Sequence, residues 1–93
     1  MELASTKAIV TGGASGLGEA TARHFAARGA QVTLLDRDAG RGPQVAAEIG
    51  AHFVQTDVTD EASVSAAIEL AKERMGGLSA AVNCAGIAYG IKT

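Results

Sequence analysis

Hydrophobic positions along the chain follow two rhythms in turn. From Lys7 to Val10 the apolar run is continuous, as a strand covered on both faces of a parallel sheet requires. Gln31 to Asp36 (QVTLLD), His52 to Val58 (HFVQTDV) and Leu78 to Gly86 (LSAAVNCAG, strand with exit loop) read as three further strands. Between them the spacing turns helical. Leu17, Thr21, Phe25 and Arg28 recur on one side of a helix expected from Ser15 to about Arg28, and Gly29 stands where a left-handed residue closes it. Pro43 suits the first turn of a short helix that runs to Ile49 and is closed by Gly50. Asp60 and Glu61 give a third helix an acidic first turn, Val64, Ile68, Ala71 and Met75 form its apolar stripe, and Gly76-Gly77 stop it.

The order β-α-β-α-β-α-β defines an α/β protein with a parallel sheet and right-handed crossovers. A doubly wound arrangement puts the strands in the order 3-2-1-4, with the first two helices on one face and the third on the other. The order reverses between strands one and four, so a crevice opens at their carboxyl ends. Gly12–Gly18 and Asn83–Gly86 are expected to meet there.

Composition narrows the function classes. The chain has 93 residues, 47% hydrophobic and 19% charged, with a formal net charge of −2. That balance argues against nucleic acid or an anionic membrane as partner. Two phenylalanines, one tyrosine and no tryptophan leave little to stack on bases. One cysteine excludes an internal disulfide, and no Cys/His cluster suggests a metal site. No signal-peptide pattern and no apolar run near the roughly 20 residues of a membrane span are found. The expectation is a cytoplasmic protein, or one of an organellar matrix if a transit peptide has been removed.

The stretch TGGASGLG, Thr11 to Gly18, holds four glycines in eight residues. Glycine has the most chain entropy to lose on folding, so the concentration needs a reason. A phosphate at the carboxyl end of a strand supplies one. The backbone must approach without a Cβ in the way, and a helix N-terminus must offer free N–H groups. Gly12 and Gly13 allow the turn off strand one. Gly16 and Gly18, with Leu17 between them, open the helix to a diphosphate, and Ser15 donates through its hydroxyl or caps the helix. The stretch is neither a Walker P-loop nor G-x-G-x-x-G.

Its spacing, Thr-Gly-x-x-x-Gly-x-Gly, resembles the cofactor fingerprint of the short-chain dehydrogenase/reductase family. The resemblance extends along the whole chain, which corresponds to the N-terminal, NAD-binding portion of that family's Rossmann-type single domain. It implies an NAD(H)-dependent oxidoreductase acting on a secondary alcohol or ketone. Asp36, ending strand two, matches the acid that accepts hydrogen bonds from the adenosine ribose hydroxyls and repels a 2′-phosphate, which favours NAD over NADP; Arg37 beside it would tolerate a phosphate. In TDVTD, the resemblance implies that Asp57 meets the adenine amino group and the Val58 amide the ring; alone, an Asp-Val pair before a helix is more often only a turn and cap, but beside the other signatures the ligand reading leads. VNCAG is similar to the family's Asn-Asn-Ala-Gly: Asn83, Ala85 and Gly86 match, and Cys84 replaces the second Asn at a position that works through its backbone. AVNCAGIA followed by KT is similar to the type 2 3-hydroxyacyl-CoA dehydrogenase branch.

The family's acid–base chemistry uses a tyrosine four residues before a lysine, with a serine upstream. Tyr89 is the only tyrosine, and Thr93 stands four residues on. Ser79, His24 and His52 do not fit either. No catalytic residue is therefore assigned, and the chain by itself is expected to be inactive, the catalytic portion lying beyond Thr93. The implied partners are a small-molecule substrate and further copies of the chain. Those copies would form a tetramer as in the family, or associate through strand four if it is left as an unpaired apolar edge. Two other readings stay open: a non-catalytic nucleotide-binding module complete at 93 residues, and a structural piece that binds nothing.

Overall fold

The computed structural model describes residues 5–12 and 16–84. The elements are β1 (Lys7–Thr11), α1 (Gly16–Ala27), β2 (Gln31–Asp36), α2 (Arg41–Ile49), β3 (His52–Gln55), α3 (Glu61–Met75) and β4 (Ala80–Asn83). The strands pair in parallel in the order β3-β2-β1-β4, as expected. Val10 lies beside Leu34 on one side and Val82 on the other, and Thr11 lies beside Leu35 and Asn83.

Side chains alternate across the pleat, which sorts the core into two halves. Val10, Val32 and Leu34 are buried with Ala22 of α1 and Val45 and Ala46 of α2. Ile9 and Leu35 are buried with Ala67, Ala71 and Met75 of α3. Two helices therefore cover one face and the third covers the other. That double cover is why β1 and β2 are apolar almost throughout, whereas the outer strands β3 and β4 are only half-buried. No helix of the described residues is long and apolar enough to cross a membrane.

Helix ends follow their local chemistry. Asp60 caps α3 by accepting from the Ala62 N–H at 3.0 Å, and Gly76 closes it at φ 75°. Gly50 closes α2 at φ 69°. At the start of α2 the carboxylate of Asp38 accepts from the N–H groups of Gly40 (3.0 Å) and Arg41 (2.8 Å). Pro43 is the third residue of this helix, where a missing N–H costs no intrahelical bond. Gly42 is buried for a packing reason: a methyl group in its place would come within 2.0 Å of Cε1 of Phe53 on β3.

Two expectations need correction. The stripe that packs α1 on the sheet is not Leu17–Thr21–Phe25–Arg28. Leu17 is 73% exposed. The helix instead buries Gly18 and Ala22, with Phe25 and Ala26 against the same cluster. Small residues, Gly18 and Ala22, are the buried ones, and Phe25 packs beside them half-buried. The third strand also ends earlier than Val58. Thr56 still donates its N–H to the Asp36 carbonyl at 2.9 Å, but the Asp57 N–H goes to Ser63 Oγ on α3 at 3.0 Å. That side chain takes the backbone out of the ladder, and Val58 lies in a turn.

Candidate functional site

The carboxyl ends of β1, β2, β3 and β4 lie along one edge of the sheet. At β1 the Gly12 N–H donates to the Leu35 carbonyl at 2.8 Å, and Gly12 then turns the chain at φ 72°. Gly16, the first residue of α1, has φ 58°, and a methyl in its place would meet nothing within 4 Å. Backbone at this helix start is thus bare and open. The first-turn N–H groups of a helix have no partner within it and carry its positive end. Gly18, still in the first turn, is buried and serves the packing of α1. Gly13 and Ser15 lie outside the described residues.

At the end of β2, half-buried Asp36 accepts the N–H of Asp38 at 2.9 Å. Asp38 in turn accepts from the start of α2, so successive carboxylates brace this loop. At the end of β3, Asp57 Oδ1 accepts the Thr59 hydroxyl at 2.6 Å and the Thr59 N–H at 3.0 Å. The Thr59 hydroxyl, then its N–H, with the charge of Arg37 adding, hold the Asp57 carboxyl below its ordinary range. The turn-and-cap arrangement is therefore present, and it uses one oxygen of a carboxylate that remains exposed. Val58 follows it, half-buried.

At the end of β4, Asn83 is tied down by a residue with no role assigned from sequence. The buried Thr11 hydroxyl lies 2.8 Å from Asn83 Oδ1 and 3.3 Å from the Val82 carbonyl. Thr11 opens the glycine stretch and stands opposite Asn83 in the ladder. Only the strand register makes that visible. Cys84 donates its N–H to the Thr11 carbonyl at 3.1 Å, and its thiol lies 3.9 Å from Thr21 Oγ1. Backbone and side chain thus both fasten Cys84 to β1 and α1. Ala85 and Gly86 lie outside the described residues.

A second group missed in the sequence joins α1 to α2. Arg41 Nη2 donates to both oxygens of Glu19, at 2.8 and 2.9 Å. Arg23 Nε donates to Glu19 Oε2 at 2.8 Å and its Nη2 to Glu48. Hydrogen bonds from Arg41, then from Arg23, push the Glu19 carboxyl below its ordinary range.

Among the described residues, the histidines and Ser79 do not gather at this edge. His24 is exposed on α1, where its Nε2 accepts from Arg28 at 3.2 Å. His52 is exposed at the start of β3. Ser79 precedes β4, where its hydroxyl oxygen accepts the Lys7 N–H at 2.9 Å. Tyr89 and Lys92 lie outside the described residues. Among the described residues, no group of three or more His, Cys, Asp or Glu side chains could hold a metal ion.

The parallel order 3-2-1-4 with alternating helices and an open glycine turn after the first strand is a Rossmann-type arrangement. The chain belongs to the short chain dehydrogenase family, whose model matches residues 6–93. It is 52% identical over 87 residues to the 3-hydroxyacyl-CoA dehydrogenase type-2 of Drosophila melanogaster, covering 91% of this chain and 34% of that protein. The crystal structure of the 3-ketoacyl-(acyl-carrier-protein) reductase of Brucella melitensis complexed with NADH is similar with a TM-score of 0.82. Its identity is 41%, over 85% of this chain and 34% of its own. A short chain dehydrogenase of Burkholderia cenocepacia in complex with NADP has a TM-score of 0.86 at 38% identity, over 94% of this chain and 38% of its own. The chain thus spans about a third of the length of the relatives it matches.

Proposed function

We propose that this chain binds NAD(H) across the carboxyl ends of its strands and is the cofactor-binding part of a dehydrogenase acting on a secondary alcohol or ketone. A 3-hydroxyacyl-CoA is the substrate class suggested by the name of the fly relative. The observation that carries the reading is the bare helix start: Gly12 and Gly16 both have positive φ, and the space beside Gly16 is open. A diphosphate fits such a start, because it needs main-chain N–H donors and no side chain between.

Each strand end has a part in this reading. The first turn of α1 holds the diphosphate, with Gly16, Leu17 and Gly18 at its entry and Gly12 and Ser15 before it. Asp36 accepts from the adenosine ribose hydroxyls and disfavours a 2′-phosphate, which selects NAD over NADP. Asp57 and Val58 border the adenine. Asn83, Cys84, Ala85 and Gly86 line the far side as backbone in this reading, and Thr11 holds the first two of them. When bound, the nicotinamide supplies hydride chemistry. The chain's own work is to bind and orient. No residue of it is assigned to proton transfer, and by itself it is proposed to turn over no substrate.

Calorimetric titration tests the reading. One NADH is expected per chain, and Asp36→Ala should weaken it about tenfold, the loss of one or two hydrogen bonds to a charged acceptor. An intact chain that takes up no NADH would sink the proposal.

A further inference from the structure

The Glu19 cluster lies beside the proposed nucleotide site, and its charges are closed on themselves. Glu19 and Glu48 face Arg23 and Arg41, two carboxylates against two guanidiniums. One guanidinium nitrogen of Arg41, Nη2, reaches both oxygens of Glu19 in a charge-assisted contact. It is partly shielded, with the Glu19 side chain only 19% exposed. Arg41 is also close to the carboxyl end of β2 along the chain of hydrogen bonds. Its N–H donates to Asp38, and the Asp38 N–H donates to Asp36. The Arg41 backbone thus stands two hydrogen bonds from the carboxylate proposed to read the ribose, and a released guanidinium would search from that anchor.

Within the reading of this site as a dinucleotide site, we propose that Glu19 is a specificity-determining residue. By holding Arg41 Nη2 with both of its carboxylate oxygens it withholds a cation from a 2′-phosphate, and so reinforces Asp36 in favouring the free 2′-hydroxyl. Asp36 and Asp38 leave this end of the strand acidic. With Arg41 and Arg23 both committed, Arg37 is the remaining basic residue of the loop, and its charge acts on Asp57. The selection is thus made partly by a side chain on α1 that need not touch the ribose. Arg41 has a long, flexible stem, so losing its partner frees it to reorient.

The test is a titration of the intact chain with NADH and with NADPH, for the parent, Glu19→Gln and the double variant Glu19→Gln/Arg41→Met. Circular dichroism checks that each is folded. The affinity ratio of NADPH to NADH should rise on the order of tenfold in Glu19→Gln, the worth of one charge-assisted contact. It should return to the parent ratio in the double variant. Glu19→Gln that binds NADH with an unmoved ratio overturns the proposal and leaves the dinucleotide reading standing. A structural role for Glu19 would give that result, weakening both ligands alike. A rise that persists without Arg41 also overturns it, because loss of a negative charge alone would then be the cause. Failure of the parent to bind NADH removes the underlying reading and this one with it.

Discussion

Replacing Gly16 with alanine separates a ligand cradle from a mere turn, because Gly50 provides a matched control. Both glycines have left-handed backbone, φ 58° and 69°, and a methyl at either would meet nothing within 4 Å. Neither substitution therefore clashes with the protein. The expected cost is conformational: about 1–2 kcal/mol for a Cβ in the left-handed region. The smaller freedom of the unfolded alanine chain offsets about 0.4–1 kcal/mol of it. A net loss near 1 kcal/mol should lower the melting temperature by roughly 4–8 °C in a domain of this size. Gly16→Ala and Gly50→Ala are expected to shift alike. Binding should divide them. At Gly16 the methyl stands where a diphosphate must meet bare main chain, so NADH affinity should fall at least about tenfold, or roughly 1.4 kcal/mol. At Gly50, on the C-cap of α2, affinity should stay at the parent value. Thermal melts followed by calorimetric titration well below the melting point measure both quantities. If Gly16→Ala binds NADH as the parent does while melting like Gly50→Ala, the open helix start is only a turn and the site is misplaced.

Gly42→Ala should destabilise the fold by about 1 kcal/mol, against helix propensity. The gain of about 1 kcal/mol from a better helix former is outweighed by overpacking against the Phe53 ring, at about 1–3 kcal/mol. In a Phe53→Ala background the same change should raise the urea midpoint, and a fall in both backgrounds would refute the packing argument. Acid should also weaken the fold. Glu19 and Asp57 have carboxyls held below their ordinary values. A depressed folded value means stability present above the unfolded value and lost as pH falls through the folded one, here below about pH 4. Urea midpoints between pH 7 and pH 3 should decline, and Glu19→Gln should flatten part of that decline; an unchanged slope would show that the Glu19 pairs add nothing to folding.

What the sequence reveals here is local. Continuous apolar runs mark β1 and β2 because both faces are covered by the same short-range alternation of strand and helix. Asp60, Gly50 and Gly76 close helices through bonds to residues within five positions, so their roles are visible without knowing the fold. The α1 stripe is misread because alanines occur all round that helix, and periodicity weights Leu17 and Phe25 over Gly18 and Ala22. The pairs that frame the site are invisible for a different reason. Thr11 and Asn83 are 72 positions apart, and Glu19 and Arg41 are 22 apart. Each exists only once strand order and register place them together. Gly42 is similar: in sequence it is a poor helix former, and only the ring of Phe53 explains it.

Strand order also explains why polar groups collect where they do. β1 lies between β2 and β4, and the helices leading into those neighbours lie on opposite faces of the sheet. Among the described residues, the strand ends along this edge carry polar side chains. The chain fills those positions with groups that bond to their own surroundings: Thr11 to Asn83, Asp36 to Asp38, Asp57 to Thr59. Each bond fixes a polar atom in place before any ligand arrives. Part of the ordering cost of binding is then met during folding, and orientation is set in advance. A site built this way should lose selectivity before it loses stability when one of its braces is cut. The braces at Asp36 and Asp57 are half-buried or exposed, so water replaces a lost partner there at little cost, whereas Thr11 is buried. Direction, unlike hydration, is not restored by water.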